Sequence, residues 1–402
     1  VPLGAFLSGG IYSSLVVALM QAQSGRPVRT FTIGFHEGAY DEAVHARAVA
    51  RHLGTDHTEL YVTPRDALDV IPRLPEVWDE PFADASQIPT LLVAGLARRH
   101  VTVALSGDGG DELFGGYEHY RWAHRAWRTM GWIPRPARAA LARGLAAVPR
   151  AAWDRLLAPG GGARRVGRRT AGERVHQLAQ VLPSRGAGEL FDWMVTDWRD
   201  GAAAAVPGAS ARVDARGGGP WPALRDPRER MMLRDFAGTL ADDMLVKVDR
   251  ATMAVGLEGR MPLLDPRVAE LAWRLPVGMK LRGREGKRAL RGVLYRYVPR
   301  ALVDRPKMGF CTPVDAWLRG PLRDWAEALL DEGRLCQEGF FDPGPVRRRW
   351  AEHLAGTDRR FDLWSVLMFQ AWLEHGRRAA PSALAADTHF AAPPADAAGA
   401  AA

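Results

Sequence analysis

Four short apolar runs divide the first 105 residues: Pro2–Leu7, Val28–Phe35, His57–Val62 and Val101–Leu105. Between them lie helical patterns at Ser13–Gln23, Asp41–Leu53, Pro64–Leu74 and Pro89–Arg99. Strand-like runs alternating with helical ones predict βαβ units and a parallel sheet covered by helices. In such sheets ligands sit beyond the carboxyl ends of the strands. The turns Ser8–Tyr12, Gly34–Phe35 and Ser106–Asp111 would therefore open on one edge.

Beyond residue 120 the pattern becomes helical. It divides the chain into an α/β core (1–120), an Arg-rich helical insertion with linkers (121–225), a helix-rich part (226–378) and an Ala/Pro-rich tail (379–402), which predicts disorder. No run approaches the roughly 20 apolar residues of a membrane helix. Cys311 and Cys336 are the only cysteines, which fits a reducing cytoplasm rather than a disulfide framework. Residue 1 is Val and lies inside a strand pattern, so the expectation is a segment preceding it.

The net charge of +8 is concentrated: residues 121–185 hold fourteen Arg against only Asp154 and Glu173. The segment reads more readily as a solvated helical face than as a nucleic-acid surface. Only four of the 54 basic residues are Lys, namely Lys247, Lys280, Lys287 and Lys307. Where Arg is the default cation, a Lys marks a position that wants a compact ammonium.

The turn Ser8-Gly9-Gly10-Ile11-Tyr12-Ser13-Ser14 joins the first strand to the first helix. Two adjacent glycines let backbone N–H groups approach an anion, and the helix N-terminus adds unpaired donors. The loop predicts a phosphate cradle. A second loop, Ser106-Gly107-Asp108-Gly109-Gly110-Asp111-Glu112, places three carboxylates at a glycine-rich turn after a strand. That chemistry suits a hard cation shared with phosphates, although acidic residues also suit a helix N-terminus. Neither loop matches G-x-x-x-x-G-K-[ST] or G-x-G-x-x-G, which argues against a P-loop ATPase and a dehydrogenase. The histidines show no paired ligand spacing for zinc.

The first loop resembles the S-G-G-x-D-S loop of the ATP pyrophosphatases, and the second resembles a signature of the asparagine synthetase synthetase domain. Asp242–Met253 with Glu258–Asp265, and Arg305-Pro306-Lys307-Met308-Gly309-Phe310, extend the likeness from residue 1 to about 375. The resemblance implies an adenine nucleotide alpha-hydrolase-like fold with ATP and Mg²⁺ as cofactors. It implies adenylation of an aspartate side-chain carboxylate, then amidation by ammonia. Carried over by motif, Leu7, Ile33, Ser106 and Gly107 would contact the nucleotide. Ser8, Gly9, Gly10, Ser13 and Ser14 would cradle pyrophosphate, and Asp111 would bind the metal. Asp108 and Lys307 would be catalytic. The ammonia would come from a glutaminase domain N-terminal to this one; a homodimer is a further expectation.

One residue departs from the pattern. Tyr12 stands where the family carries a second metal-binding Asp. A phenol is neutral near pH 7 and a poor ligand for a hard cation. The mismatch keeps two other readings open: a relative acting on another carboxylate, such as a peptide cyclase, and a nucleotide-binding protein without turnover. Weaker expectations attach to Asp79–Asp84 as pocket lining, to Asp249 with Arg250 as a buried ion pair or an amino-acid contact, and to Glu258 with Arg260 as structural.

Overall fold

The computed structural model describes residues 1–36, 41–157, 170–196, 198, 224–305 and 312–386. They fall into two compact units, one drawn from within 1–61, 92–202 and 208–309, the other from 62–91 and 310–402.

The first unit holds a five-stranded parallel sheet of β1 (Leu3–Phe6), β2 (Arg29–Phe35), β3 (Asp56–Val62), β4 (Val103–Leu105) and β5 (Glu258–Arg260). Their order is β3-β2-β1-β4-β5. Gly4 of β1 faces Arg29 of β2 on one side and Ala104 of β4 on the other. The chain winds from β1 outward to β3, then returns to the opposite side of β1 to place β4. The gap between the carboxyl ends of β1 and β4 is thus the point where strand order reverses, the usual ligand crevice of open α/β sheets.

All four expected strands are present, with small shifts at their ends. Val101 stays outside β4 because the Thr102 and Val103 N–H groups both converge on the Pro2 carbonyl. The fifth strand was not expected. Glu258-Gly259-Arg260 is short and polar, and only its neighbour β4 makes it a strand. Its two charged side chains pair with each other at 2.6 Å, a structural role.

α1 (Ile11–Gln23) follows β1, and α2 (Ala43–Leu53) follows β2. The core packs Ala5 and Leu7 against Ile11, Leu15 and Ala18 of α1 and Ala46, Val49 and Ala50 of α2. Leu290 and Leu294, from helix Arg288–Leu294, join the same cluster. Residues nearly 300 positions apart in sequence thereby share one apolar centre.

The Arg-rich stretch forms helices Glu118–Met130, Arg135–Ala147, Arg150–Leu157 and Ala171–Val181. It is not only a solvated face. Arg138 is 3% exposed, donates to the carbonyls of Ile133 and Ser184 at 3.0 and 2.7 Å, and lies 5.2 Å from the Trp127 ring. Here a planar guanidinium serves as a core joint.

One expected helix is interrupted. Pro64–Leu74 breaks into helices Pro64–Val70 and Leu74–Trp78 around a 3₁₀ turn at Ile71–Arg73, because Pro72 and Pro75 carry no N–H to continue the ladder. Thr239–Leu245 is a π-helical stretch that runs into the Asp242–Met253 motif, a form enriched at functional sites. Asp249 and Arg250 are both exposed, so the buried ion pair does not form.

The second unit is helical and centres on Trp317, Trp350 and Trp364, each at most 3% exposed. Its last helix runs Arg360–Ala386, past the expected start of the tail at 379. Asp84 accepts from the Ser86 N–H at 2.8 Å and the Ser86 hydroxyl at 2.7 Å, a local turn that leads into helix Gln87–Arg98. Among the described residues, no helix is long and apolar enough to cross a membrane.

Candidate active site

The loop after β1 turns on Gly9, whose φ of +70° is costly for a side chain. A Cβ there would also lie 2.7 Å from the His45 carbonyl carbon and 2.8 Å from the Ala46 nitrogen, so the loop presses directly on the α2 backbone. Gly10 caps α1 without a side-chain hydrogen bond, leaving the first N–H groups of the helix free of a capping partner. The Ser8 hydroxyl bonds to the Ser13 hydroxyl at 3.0 Å, and Ser13 Oγ accepts from the Ser8 N–H at 3.2 Å. The Ser14 hydroxyl is buried and has no hydrogen-bond partner among the described residues. These features suit an anion at the loop.

Arg305 locks the loop from far along the chain. Its Nη2 donates to the Ser8 carbonyl at 3.2 Å and to Glu42 Oε1 at 3.3 Å. It opens the Arg305–Phe310 motif, but Lys307 lies outside the described residues. Leu7 and Ile33, expected to contact the nucleotide, are both buried, at 1% and 2% exposed.

The loop after β4 approaches α1 closely. At Gly107 a Cβ would lie 2.8 Å from the Tyr12 Cβ and 2.9 Å from the Ser13 nitrogen. Asp108 accepts from the Ser106 hydroxyl at 2.5 Å. Gly109, at φ +82°, starts the short helix Gly110–Phe114 that carries Asp111 and Glu112. Glu112 is buried and accepts from the Tyr117 hydroxyl at 2.7 Å. Burial, and then the Asp111 charge, push its carboxyl up to about 7.

Tyr12 and Asp111 come together, as the two loops predict, but not as two carboxylates. Tyr12 is 8% exposed and its ring fills a slot walled by glycines. A Cβ on Gly110 would strike the ring, and one on Gly116 would strike both the phenol oxygen and Asp111 Oδ1. The phenol donates to Asp111 Oδ1 at 3.1 Å. Burial, and then Asp111, hold the phenol well above its ordinary pKa of 10, so it stays a neutral donor. Lys287 completes the group: Nζ lies 3.2 Å from Asp111 Oδ1 and 3.9 Å from the centre of the Tyr12 ring.

This donor set does not fit a Mg²⁺ ion at positions 12 and 111. One carboxylate remains, the same oxygen serves both Tyr12 and Lys287, and an ammonium stands beside it. Among the described residues, no cluster of three His, Cys, Asp or Glu side chains is arranged to hold a metal. Sequence reasoning missed Lys287 as a site residue. The scarcity of Lys was the signal, read instead at Lys307.

Fold and site together define an α/β domain with two glycine-rich loops facing each other where strand order reverses. The asparagine synthase family model matches residues 1–374, and the chain belongs to that family. It is 37% identical over 377 residues to a Mycobacterium tuberculosis protein assigned as a glutamine-hydrolysing asparagine synthetase, covering 92% of this chain and 54% of that protein. Asparagine synthetase [glutamine-hydrolyzing] 1 of Bacillus subtilis is 29% identical over 377 residues, covering 92% of this chain and 56% of its own. The chain thus spans about half the length of these relatives. Asparagine synthetase [glutamine-hydrolyzing] 3 of Arabidopsis thaliana matches over 132 residues at 39% identity, 30% of this chain and 22% of that protein.

Proposed function

We propose that this chain is the amide-forming part of an asparagine synthetase. The observation that carries this reading is the juxtaposition of the Ser8–Gly10 and Ser106–Asp111 loops at the switch point of a family-matched sheet. An aspartate side-chain carboxylate oxygen attacks the α-phosphorus of ATP, and the bond to pyrophosphate breaks. Ammonia then attacks the acyl carbon of the aspartyl-adenylate, and AMP leaves with its oxygen. The chain's part is to hold the leaving pyrophosphate on the Ser8–Gly10 backbone, the α1 N-terminus and the Ser13 and Ser14 hydroxyls, a preorganised set of donors. By family motif, Lys307 would neutralise charge on the phosphorus and the departing pyrophosphate, and Asp108 would take part in forming the aspartyl-adenylate. The relatives' names specify glutamine hydrolysis for those proteins, and a further domain of that activity would supply the ammonia.

The test supplies ATP, aspartate and an ammonium salt to the purified chain and quantifies AMP, pyrophosphate and asparagine. Equal yields of all three are expected. Formation of ADP and phosphate, or AMP release indifferent to aspartate, would overturn the reading. The Tyr12–Asp111–Lys287 group favours a second outcome, a site that takes the nucleotide with impaired turnover. Calorimetric binding of ATP with no AMP formed would select it.

A further inference from the structure

The group at positions 12, 111 and 287 is more than a damaged metal site. Two carboxylates around a divalent cation sum to zero charge. One carboxylate, one neutral phenol and one ammonium also sum to zero. The geometry makes the exchange specific: Lys287 Nζ is within 3.2 Å of the Asp111 carboxylate and above the face of the aromatic ring that has replaced the other carboxylate. An ammonium over a buried phenol face gains electrostatic attraction from the ring quadrupole, which an aspartate at position 12 cannot give.

The backbone is built for it as well. Lys287 holds a left-handed conformation, φ 62° and ψ 23°, as the residue before helix Arg288–Leu294. That conformation is uncommon for a long side chain. Its N–H donates to the Phe114 carbonyl at 3.2 Å, at the end of the helix that carries Asp111. The Lys287 backbone is therefore tied to the element whose carboxylate its side chain neutralises. Only 8% of Lys287 is exposed.

We propose that in this chain the Lys287 ammonium, held by Asp111 and the Tyr12 ring, replaces the divalent cation between the two loops. The cluster, neutral as a whole, turns the Lys287 ammonium toward the crevice loops, and it takes no metal of its own at Asp111. Tyr12 and Lys287 act as a pair: the ring seats the ammonium, and the ammonium compensates the carboxylate that the missing aspartate would have shared.

The test needs no nucleotide, so it stands or falls apart from the proposed adenylation. Manganese(II) is titrated into the wild-type chain, Tyr12→Asp with Lys287→Met, and Asp111→Asn, and free manganese is read by electron paramagnetic resonance. Circular dichroism melts establish that each variant is folded. The wild type should leave manganese free. The double variant should bind one ion, roughly 10- to 100-fold more tightly than the wild type. Stoichiometric binding by the wild type that Asp111→Asn abolishes would overturn the proposal. A folded double variant that binds no more tightly than the wild type would overturn it too, because Tyr12 and Lys287 would not then be what excludes the metal. If the double variant fails to fold, Tyr12→Asp alone is expected to bind more tightly than the wild type, and equality there counts against the proposal.

Discussion

Replacing Gly9 by Ala and Gly54 by Ala separates two costs that a glycine usually hides together. The two residues have nearly the same left-handed φ, +70° and +69°. Gly54 ends α2 and a Cβ there meets nothing within 4 Å, so Gly54→Ala incurs only the conformational cost. That cost is about 1–2 kcal/mol for a non-glycine residue. At Gly9 the added Cβ also falls 2.7 Å from the His45 carbonyl carbon and 2.8 Å from the Ala46 nitrogen. Those are backbone atoms of a helix whose Ala46 and Val49 are fully buried, so α2 cannot give way cheaply. Forced overpacking adds about 1–3 kcal/mol. Gly9→Ala should therefore be about 2–5 kcal/mol less stable than the wild type, with roughly a third to three quarters of the loss arising from the steric contact. Urea unfolding followed by far-ultraviolet circular dichroism, with a common slope for the three proteins, gives the difference directly. Equal destabilisation by the two substitutions would refute the close approach of the Ser8–Gly10 loop to α2.

Three further outcomes follow from buried polar groups. Asp235 is 2% exposed and accepts from the Tyr120 hydroxyl at 2.7 Å and His119 Nε2 at 2.8 Å, so Asp235→Ala should lower stability by about 2–4 kcal/mol in urea unfolding, with Asp235→Asn much milder. Lys280 is fully buried, lies 4.9 Å from the Trp273 ring and its Nζ has no hydrogen-bond partner among the described residues; burial pushes its pKa below the usual 10.5. The unfolded chain then binds the proton that the folded chain releases, so stability should rise with pH up to 10.5, and Lys280→Met should flatten that slope in melts between pH 7 and 10. His353 is also fully buried; its Nδ1 accepts from the Arg359 N–H at 3.2 Å, which assigns the proton to Nε2, 3.2 Å from the Asp315 carbonyl oxygen. Burial, and then Arg319, depress its pKa below 6.5, so its contribution to stability should fall as the pH drops below that value, and His353→Gln should remove the fall in hydrogen-exchange measurements on the helices around it.

The parallel sheet was legible because its first four strands read as short strand-like runs separated by helical spacing, β1, β2 and β4 from apolar residues and β3, Asp-His-Thr-Glu-Leu-Tyr-Val, mainly from its Leu-Tyr-Val end. β5 was not, since an edge strand of Glu-Gly-Arg has no apolar period and exists only through pairing with β4. The two loops were legible as facing partners because both follow strands. Tyr12 was legible as a mismatch in a motif, but its meaning was not, because Lys287 comes from a helix cap remote in sequence and adopts a backbone conformation that no local pattern announces. Arg305 was hidden for a related reason: its neighbours Pro306 and Lys307 drew the attention of the motif, while the contact to Ser8 spans 297 residues.

That span bears on how the protein is made. Ser8 leaves the ribosome well before Arg305, which follows 297 positions later. At common synthesis rates, the nascent loop waits roughly 15 to 60 s for the residue that fastens it. During that interval β4 also lacks its outer neighbour β5 and offers an open edge to other strands. A nascent chain stalled before residue 258 would carry both loops in sequence but not as a joined crevice, and would be a natural client for chaperones.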